Sequence, residues 1–410
     1  MGLEGVLRVT LRSLGSIARI TSGGTPSRAR PEFWGGDIPW VKTTQVQNGV
    51  VGAADIDEFI TPEGLRQLGS KLVPKNAILL AMVGQGKTRG QVALLDVDAA
   101  INQNCAAVIP SAEMDARFLF QQLLSSYEQL RLLSNSSGQN NLNASLLRSF
   151  KIYAPPIDVQ KFISQVLGDW DAAIGKTSSV ITSLEHRKQG LMQQLLTGRR
   201  RLKGFSDKWK SVGIGSLAND ARNINTTGQA LPVLSCTKYA GLVDSLTYFN
   251  KRVFSENTAS YKIVQRGQFV YATNHIEEGS IGYQNLHDAA LVSPMYTVFE
   301  PDAEVINHQF LFMLLKTEAM RRVFEATTHS SVDRRGSLRW PEFAKLKIRI
   351  PPMQEQEQIV AVLETASSSV ELANQQLAEF KTQKRALMQK LLSGEWRFPE
   401  TPTQTKTQAK

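Results

Sequence analysis

A glycine-rich loop at residues 84–90 carries Gln85, Lys87 and Arg89, whose side chains can donate hydrogen bonds. Side chains of these types hydrogen-bond to the phosphates and base edges of nucleic acids. The glycines in the loop let the backbone approach a ligand closely. The loop is therefore predicted to contact a polyanion, and for each side chain the alternative is an ordinary solvated surface group.

Other polar segments offer the same chemistry. One lies just before Leu142 in the first half of the chain. Two others lie in the second half, at positions that match the two loops of the first half. The candidates are Gln139, Asn140 and Asn141; Asn274 and His275; and Arg334, Arg335 and Arg339. Arg222, Lys251 and Arg252 are more general candidates for phosphate contacts.

The overall charge points to the same kind of partner. The chain has 47 Lys and Arg against 37 Asp and Glu, which gives a net charge of +10. A basic chain makes a polyanion the first partner to test, although charge alone is equally compatible with ordinary solubility.

Motifs for catalysis fail at defined positions. Gly86-Lys87-Thr88 resembles the end of a phosphate-binding loop, but Ala81 stands where that loop needs glycine. The two Pro-Pro pairs read APPI and IPPM, which do not match the [DNS]PP[YFW] motif of adenine methyltransferases. Glu379-Phe380-Lys381 matches the end of a nuclease pattern, but helix periodicity explains Phe380 better. The chain is therefore predicted to be non-catalytic.

Cysteine and histidine spacing argues against a metal centre. Cys105 and Cys236 stand alone, and the five histidines have no HExxH or i,i+4 spacing. No apolar run of about 18 residues and no signal core occurs, so a cytoplasmic location is expected. No cofactor is expected to bind this chain itself.

An internal repeat sets the architecture. Pro155-Pro156 recurs as Pro351-Pro352, and the same offset of 196 residues aligns LMQQLLTG at 191–198 with LMQKLLSG at 387–394. Apolar residues in both copies alternate in steps of four and three, which is typical of a coiled-coil seam. Each copy is thus a long helix, and packing the two seams together would bury both.

The seam residues are predicted from this spacing. In the first copy they are Ile163, Leu167, Leu184, Leu191 and Leu195, and in the second Ile359, Leu363, Leu377, Leu387 and Leu391. The pattern leaves open whether the helices run antiparallel. Lys188 and Lys384 interrupt the seam at equivalent positions, and we expect their ammonium groups to extend to water, with a role in setting the register as the alternative.

The segments between the helices have short apolar and β-branched runs separated by turns, which predicts α+β domains with twisted β-sheets. Each segment ends in an apolar helix, a polar loop and a strand. The predicted divisions are 1–154 and 204–350 for the globular domains, 155–203 and 351–398 for the helices, and 399–410 for a disordered tail.

Over nearly its whole length the chain resembles the specificity subunits of type I restriction-modification systems. The blocks that carry the resemblance are SGGTPSRARPEFWGGDIPWVKTTQV at 22–46, NAILLAMVGQGKTRGQVALL at 76–95, INQNCAAV at 101–108, LPVLSCTKYAGLV at 231–243 and LVSPMYTVFEP at 291–301. APPIDVQ and IPPMQEQ resemble the junctions into that family's conserved helices. The first junction carries Asp158 and lacks the Glu-Gln pair found at Glu355-Gln356.

The resemblance implies two target recognition domains that each read one half of a bipartite, asymmetric site in double-stranded DNA. It also implies an antiparallel coiled coil that sets the spacing of the half-sites and docks two methyltransferase subunits, with two restriction subunits completing the nuclease. S-adenosylmethionine and ATP with magnesium would then belong to those partners. The alternatives are a self-contained DNA-modifying enzyme and a coiled-coil adaptor that does not bind DNA.

Overall fold

The computed structural model describes residues 11–69, 72–84, 86–136, 141–329 and 337–396. The predicted disordered tail at 399–410 lies outside these ranges. The chain divides into two compact units, one formed by residues up to Ser178 and from Gln376 onward, the other by Ser179–Gln375. Each unit contains one globular domain and a part of both long helices.

The first unit contains ten strands and five short helices of the described chain, together with parts of both long helices. The strands are β1 (Leu11–Ser13), β2 (Ala18–Ser22), β3 (Trp34–Val41), β4 (Gly49–Val51), β5 (Phe59–Ile60), β6 (Ile78–Ala81), β7 (Val92–Leu95), β8 (Ala100–Ile101), β9 (Cys105–Pro110) and β10 (Lys151–Tyr153). The helices are α1 (Leu14–Ile17), α2 (Pro62–Gln67), α3 (Ala116–Ser125), α4 (Tyr127–Ser136), α5 (Ala144–Ser149) and the long α6 (Ile157–Leu195).

A five-stranded sheet in the order β2-β9-β6-β7-β4 forms the centre of this domain. Strand β6 is buried along its length because its run of Ile78, Leu79, Leu80 and Ala81 is apolar on both faces. One face packs on α1, α3 and α5, and the Asp115 carboxylate caps α3 through the amide of Phe118 at 2.8 Å. Strand β8 pairs with β3 in a separate three-stranded sheet.

The second unit ends like the first, with three short helices, one strand and a long helix, but its other elements follow a different order. Its strands are β11 (Lys210–Gly213), β12 (Ala218–Asp220), β13 (Leu234–Thr237), β14 (Gly241–Asp244), β15 (Lys262–Gln265), β16 (Phe269–Ala272), β17 (Ile281–Tyr283), β18 (Ala289–Val292), β19 (Tyr296–Pro301) and β20 (Lys347–Ile350). Its helices are α7 (Ser245–Phe249), α8 (His308–Leu315), α9 (Glu318–His329), α10 (Trp340–Lys345) and the long α11 (Met353–Leu392).

The central sheet of the second domain has the order β12-β19-β16-β17, and β13 and β14 form a separate hairpin. The carboxamide of Asn307 caps α8 through the amide of Phe310 at 2.9 Å, as Asp115 caps α3. Mixed helices and sheets in both units confirm the predicted α+β class.

The two long helices run antiparallel. In the first unit, the start of α6 lies against the end of α11, where Trp170 and Phe380 make an edge-to-face contact with ring centroids 5.7 Å apart. In the second unit, Leu191 near the end of α6 shares a core with Ile359 and Leu363 near the start of α11. The predicted helices and their pairing are therefore confirmed.

Glycines end both helices as the spacing predicted. Gly198 and Gly394 follow the last turns with φ angles of +70° and +75°, a left-handed conformation that glycine adopts without a steric penalty. Pro155-Pro156 and Pro351-Pro352 immediately precede the two helices. The repeat boundaries in the sequence therefore coincide with the physical ends of the helices.

Seam burial changes along the helices. The residues nearest the globular domains are buried, and those farther along are half-buried. Buried positions are Ile163, Leu167 and Leu391 in the first unit and Leu195, Ile359 and Leu363 in the second. Half-buried positions are Leu377 and Leu387 in the first unit and Leu184 and Leu191 in the second. Two helices alone leave part of each seam open to water, whereas a packed domain covers the rest.

Candidate nucleic-acid interface

The glycine-rich loop of the first domain connects β6 to β7. Its ends are joined by a hydrogen bond from the Gly90 amide to the carbonyl of Ala81 at 2.9 Å. The hydroxyl of Tyr127 donates to the carbonyl of Lys87 at 2.7 Å, which attaches the loop to α4. The Lys87 side chain is exposed and Arg89 is half-buried. Gln85 lies outside the described residues.

The second predicted loop of the first domain lies beside the first. The amide of Leu142 donates to the carbonyl of Met82 at 3.0 Å, just before the glycine-rich loop begins. Asn141 is therefore one residue from this contact, and it is exposed. Gln139 and Asn140 fall outside the described ranges.

A third segment, Asn102–Asn104, joins this cluster and was not among the predicted site residues. The amide of Met82 donates to the carbonyl of Asn104 at 2.9 Å. Gln103 is exposed, and its carboxamide is hydrogen-bonded to the hydroxyl of Thr25. The polar run Asn102-Gln103-Asn104 between two buried strands was the available signal, because such a turn presents amide groups on a rigid frame.

The second domain brings the corresponding segments together. The amide of Leu338 donates to the carbonyl of Thr273 at 2.9 Å, and the Thr273 hydroxyl donates to the carbonyl of Met295 at 3.0 Å. Asn274 and His275 directly follow this junction, and Arg339 directly follows Leu338. Arg334 and Arg335 lie outside the described residues. Three connected segments thus form the same kind of cluster in each domain.

The two clusters differ in charge. The first carries Lys87 and Arg89, whereas the second carries Arg339 together with Glu277 and Glu278 beside His275. His275 Nδ1 lies 3.3 Å from a carboxylate oxygen of Glu278. Carboxylates repel phosphates, so this turn of the second domain suits contacts with uncharged groups better than with a nucleic-acid backbone.

The same three side chains have donor atoms within 4.8 Å of one another, close enough for a metal ion. His275 and Glu278 are exposed, and Glu277 is half-buried. Exposed acidic groups on one short turn are common without an ion, and His275 is already paired with Glu278.

Two of the general phosphate candidates have acidic neighbours. Arg222 Nε lies 2.6 Å from a carboxylate oxygen of Asp220, and Arg252 lies 3.5 Å from Glu256. Lys251 is exposed. Neutralised guanidinium groups attract a polyanion less strongly, so Lys251 is the best of these three candidates.

The features that resembled catalytic motifs have structural roles. Ala81, which stands where a phosphate-binding loop needs its first glycine, is buried within β6. Phe380 packs on Trp170 in the helix pair. Within the described part of the chain, no helix is long and apolar enough to cross a membrane.

A model of the type I restriction modification DNA specificity domain matches the chain twice, at residues 8–186 and 214–382. The chain belongs to this family. Each match covers one globular domain with most of the long helix that follows it. The doubled match agrees with the repeat in the sequence.

Individual relatives agree with this assignment. The EcoR124I/EcoR124II specificity subunit of Escherichia coli is 30% identical over 40% of this chain, a match that spans 41% of that subunit. The MjaVIII specificity subunit of Methanocaldococcus jannaschii is 22% identical over 94% of this chain and 92% of its own length.

Solved structures of the family share the fold. The S subunit from M. genitalium superposes with a TM-score of 0.53 at 15% identity, covering 96% of this chain and 98% of its own. The HsdS subunit from Thermoanaerobacter tengcongensis gives 0.58 at 16% identity, covering 96% and 100%. At this level of identity the likeness shows the fold alone.

Two glutamines in equivalent repeat positions attach the family's helices to their domains. Gln160 accepts from the amide of Asp115 at 2.8 Å and donates to the carbonyl of Pro155 at 2.7 Å. Gln356 accepts from the amide of Asn307 at 2.8 Å and donates to the carbonyl of Pro351 at 3.0 Å. Each glutamine therefore fixes the start of a long helix against the N-terminus of an apolar helix in its own unit.

The second junction has a Glu-Gln pair that the first junction lacks, and its glutamate forms a buried ion pair. Glu355 is fully buried and accepts two hydrogen bonds from Arg201, at 2.6 and 2.7 Å. The indole of Trp209 approaches the same carboxylate at 3.3 Å. Val159 occupies the equivalent position in the first repeat, so this ion pair belongs to the second unit alone.

Proposed function

We propose that this chain is the DNA specificity subunit of a type I restriction-modification complex, in which each domain contacts one half of a bipartite, asymmetric site. The observation that carries the proposal is the recurrence of one hydrogen-bonded cluster of three segments in both domains, with different side chains in each. A repeated frame with different contact residues suits a protein that reads two different sequences.

The chemistry of the clusters supports reading rather than catalysis. Lys87, Gln103 and Asn141 offer donors and acceptors for base edges and phosphates. Methylation and cleavage would come from two methyltransferase and two restriction subunits, which bring S-adenosylmethionine and ATP with magnesium. The long helix pair would dock the methyltransferase subunits and set the spacing between the half-sites.

Methylation profiling tests the proposal directly. Host DNA sequenced with and without this gene should differ at one bipartite motif, and the motif should disappear when the gene is deleted. A chain that acts as an adaptor without DNA affinity predicts no salt-dependent binding of duplex DNA by the complex. Transfer of labelled methyl groups, or cleavage, by the purified chain without partners would show that it is an enzyme.

The proposed ruler function of the helices has a separate test. The seam from Ile359 to Leu391 covers 32 residue steps, roughly 48 Å at 1.5 Å per residue. This corresponds to about 14 base pairs of duplex DNA. Inserting one heptad at matched positions in both helices keeps the seam in register and should lengthen the non-specific spacer of the methylated motif. An unchanged spacer contradicts the ruler.

A further inference from the structure

Two large apolar side chains of the second domain are exposed at its three-segment cluster. Tyr239 is 84% exposed and Met295 is 64% exposed. Met295 lies on a turn hydrogen-bonded to the segment that carries Asn274 and His275, and Tyr239 lies on a turn joined to the other end of that segment through Lys316. Large apolar groups held in water on a rigid support indicate a contact surface, because their exposure brings no stability to the isolated domain.

Tyr239 stands at the tip of the β13–β14 hairpin. The tip is closed by the Thr237 hydroxyl, which donates to the carbonyl of Gly241 at 3.0 Å and accepts from the amide of Ala240 at 3.1 Å. The ammonium group of Lys316 donates to the carbonyls of Lys238 and Gly279, both at 2.8 Å. The tip is thereby fixed to the far end of the 274–279 turn.

Met295 stands on the turn between β18 and β19. Its carbonyl accepts the hydroxyl of Thr273 at 3.0 Å, which fixes the turn to the near end of the 274–279 segment. The amide of Tyr296 donates to the carbonyl of Ser293 at 3.0 Å and tightens the turn. Tyr239 and Met295 thus flank the same segment from two sides.

The first domain has a polar residue in the place of Met295. There Met82 donates its amide to the carbonyl of Asn104, next to the exposed Gln103. The cluster of the first domain therefore presents amides and cations, whereas that of the second presents apolar groups next to Glu277 and Glu278, with Arg339 and Lys238 as its cations. The carboxylates of the 274–279 turn repel phosphates, so the groups on DNA that suit Tyr239 and Met295 beside this turn are uncharged.

We propose that Tyr239 and Met295 contact the apolar surface of DNA bases in the half-site read by the second domain. The 5-methyl group of thymine is the apolar group that duplex DNA displays in its major groove, and the base face is the other apolar surface once a step is unstacked. This inference rests on the proposed function. Contacts of this kind would add apolar recognition to the polar groups of the cluster.

The test uses the complex of this chain with its methyltransferase subunits and a duplex that contains the methylated motif. Each thymine of the half-site read by the second domain is replaced, one at a time, by deoxyuridine, which lacks the methyl group. We expect the wild-type complex to bind one substituted duplex about five- to tenfold more weakly, as removal of a single apolar contact predicts. Tyr239→Ala or Met295→Ala should weaken binding of the normal duplex similarly and no longer respond to that uracil.

A second arm distinguishes the base face from the methyl group. With 2-aminopurine placed in the half-site, contact with an unstacked base raises the fluorescence on binding, and the rise should disappear in Tyr239→Ala. Either response supports the inference, and neither response in the wild type, or unchanged responses in both variants, overturns it. Tyr239→Phe, which keeps the ring, should bind like the wild type.

Matched controls separate this inference from the proposed function. Tyr248 is an exposed tyrosine of α7 that is not part of the cluster, and its ring centroid lies 5.0 Å from that of Phe249. Tyr248→Ala should leave DNA binding unchanged. Unaltered thermal unfolding shows that the variants are folded. If the wild type has no motif and no salt-dependent DNA binding, the proposed function fails; if it has both and the variants match it, only the apolar contact fails.

Discussion

The ammonium group of Lys384 donates a 2.6 Å hydrogen bond to a carboxylate oxygen of Asp171, and the Lys384 side chain is only 10% exposed. The expectation that this lysine extends to water is therefore wrong, because a carboxylate on the neighbouring helix satisfies it. In the other repeat, Lys188 is half-buried, and the position equivalent to Asp171 is Ser367. The polar contact therefore distinguishes the two ends of an otherwise repeated seam.

Removing the two partners of this pair should have unequal effects. Asp171→Ser leaves the buried Lys384 ammonium group and the buried Gln121 carboxamide without their acceptor, which we expect to lower the free energy of unfolding by about 1–3 kcal/mol. Lys384→Met leaves a carboxylate that is 48% exposed and can hydrate, so its effect should be smaller, below ~1 kcal/mol. Urea unfolding measures both.

The control for this pair is Asp169→Ser, which removes an exposed carboxylate of the same helix that accepts from Gln165. It should unfold like the wild type. Equal losses for Asp171→Ser and Lys384→Met would contradict the argument that burial of the lysine decides the effect.

Breaking the buried ion pair between Glu355 and Arg201 should lower the free energy of unfolding more than breaking the pair between Lys384 and Asp171. Arg201→Met leaves the fully buried Glu355 carboxylate without its two guanidinium hydrogen bonds, and we expect a loss of about 3–5 kcal/mol in the free energy of unfolding. The double variant Glu355→Val with Arg201→Met removes both charges and should recover part of that loss. Glu357→Gln, at an exposed position of the same helix, is the control. A double variant as unstable as the single one would refute the compensation.

The long helices were predictable because their information is local and repeated. Steps of four and three residues, Pro-Pro before each helix and glycine after it determine the elements without any distant contact. The antiparallel direction of the helices was not predictable from this spacing, since either direction satisfies it. That direction was expected only from the family resemblance. Nor were Gln160 and Gln356 identified as anchors, because their partners Asp115 and Asn307 lie tens of residues away in sequence.

The candidate site was predictable in part for a related reason. A search for cations and amides finds Lys87 and Asn141, yet it passes over Tyr239 and Met295, whose exposure depends on the turns that hold them. The sequence shows that Glu277 and Glu278 are acidic. Only the folded loop shows that Glu278 lies against His275, a predicted contact residue.

Lys316 should act as a positioning residue for the second domain's cluster. Burial lowers the pKa of its ammonium group, and its two hydrogen bonds to Lys238 and Gly279 compensate for the lost water. Lys316→Met should remove this donor from both carbonyls, leaving the Gly279 carbonyl with only the Ile281 amide, and should increase amide hydrogen exchange around residues 238–241 and 276–281. Exposed Lys347→Met serves as the control. Unchanged exchange in these two segments would rule out the positioning role.

Cys105 should resist alkylation in the folded chain. Burial raises the pKa of its thiol to about 11, against an ordinary value of 9.0, and only the thiolate is nucleophilic. Between pH 9.0 and about 11, the Cys105 thiol has lost its proton in the unfolded chain but keeps it in the folded chain. Deprotonation therefore favours the unfolded chain, and the contribution of Cys105 to stability falls as the pH rises through this range. Iodoacetamide labelling at pH 8, read by mass spectrometry, should modify Cys105 only after urea is added. Rapid labelling of the native chain would contradict this environment.

Gln103 should contribute to the half-site read by the first domain if the proposed function is right. Its exposed carboxamide can bond to an adenine edge bidentately, an interaction worth about 1–3 kcal/mol of discrimination against other bases. Gln103→Ala should therefore relax one position of that half-site in methylation sequencing while leaving the other half-site intact. Lys87→Ala, as a phosphate contact, should weaken binding uniformly and reduce its salt dependence without changing the motif. Gln67→Ala, an exposed glutamine of α2, is the matched control, and a motif that stays equally strict in Gln103→Ala would remove this residue from the reading surface.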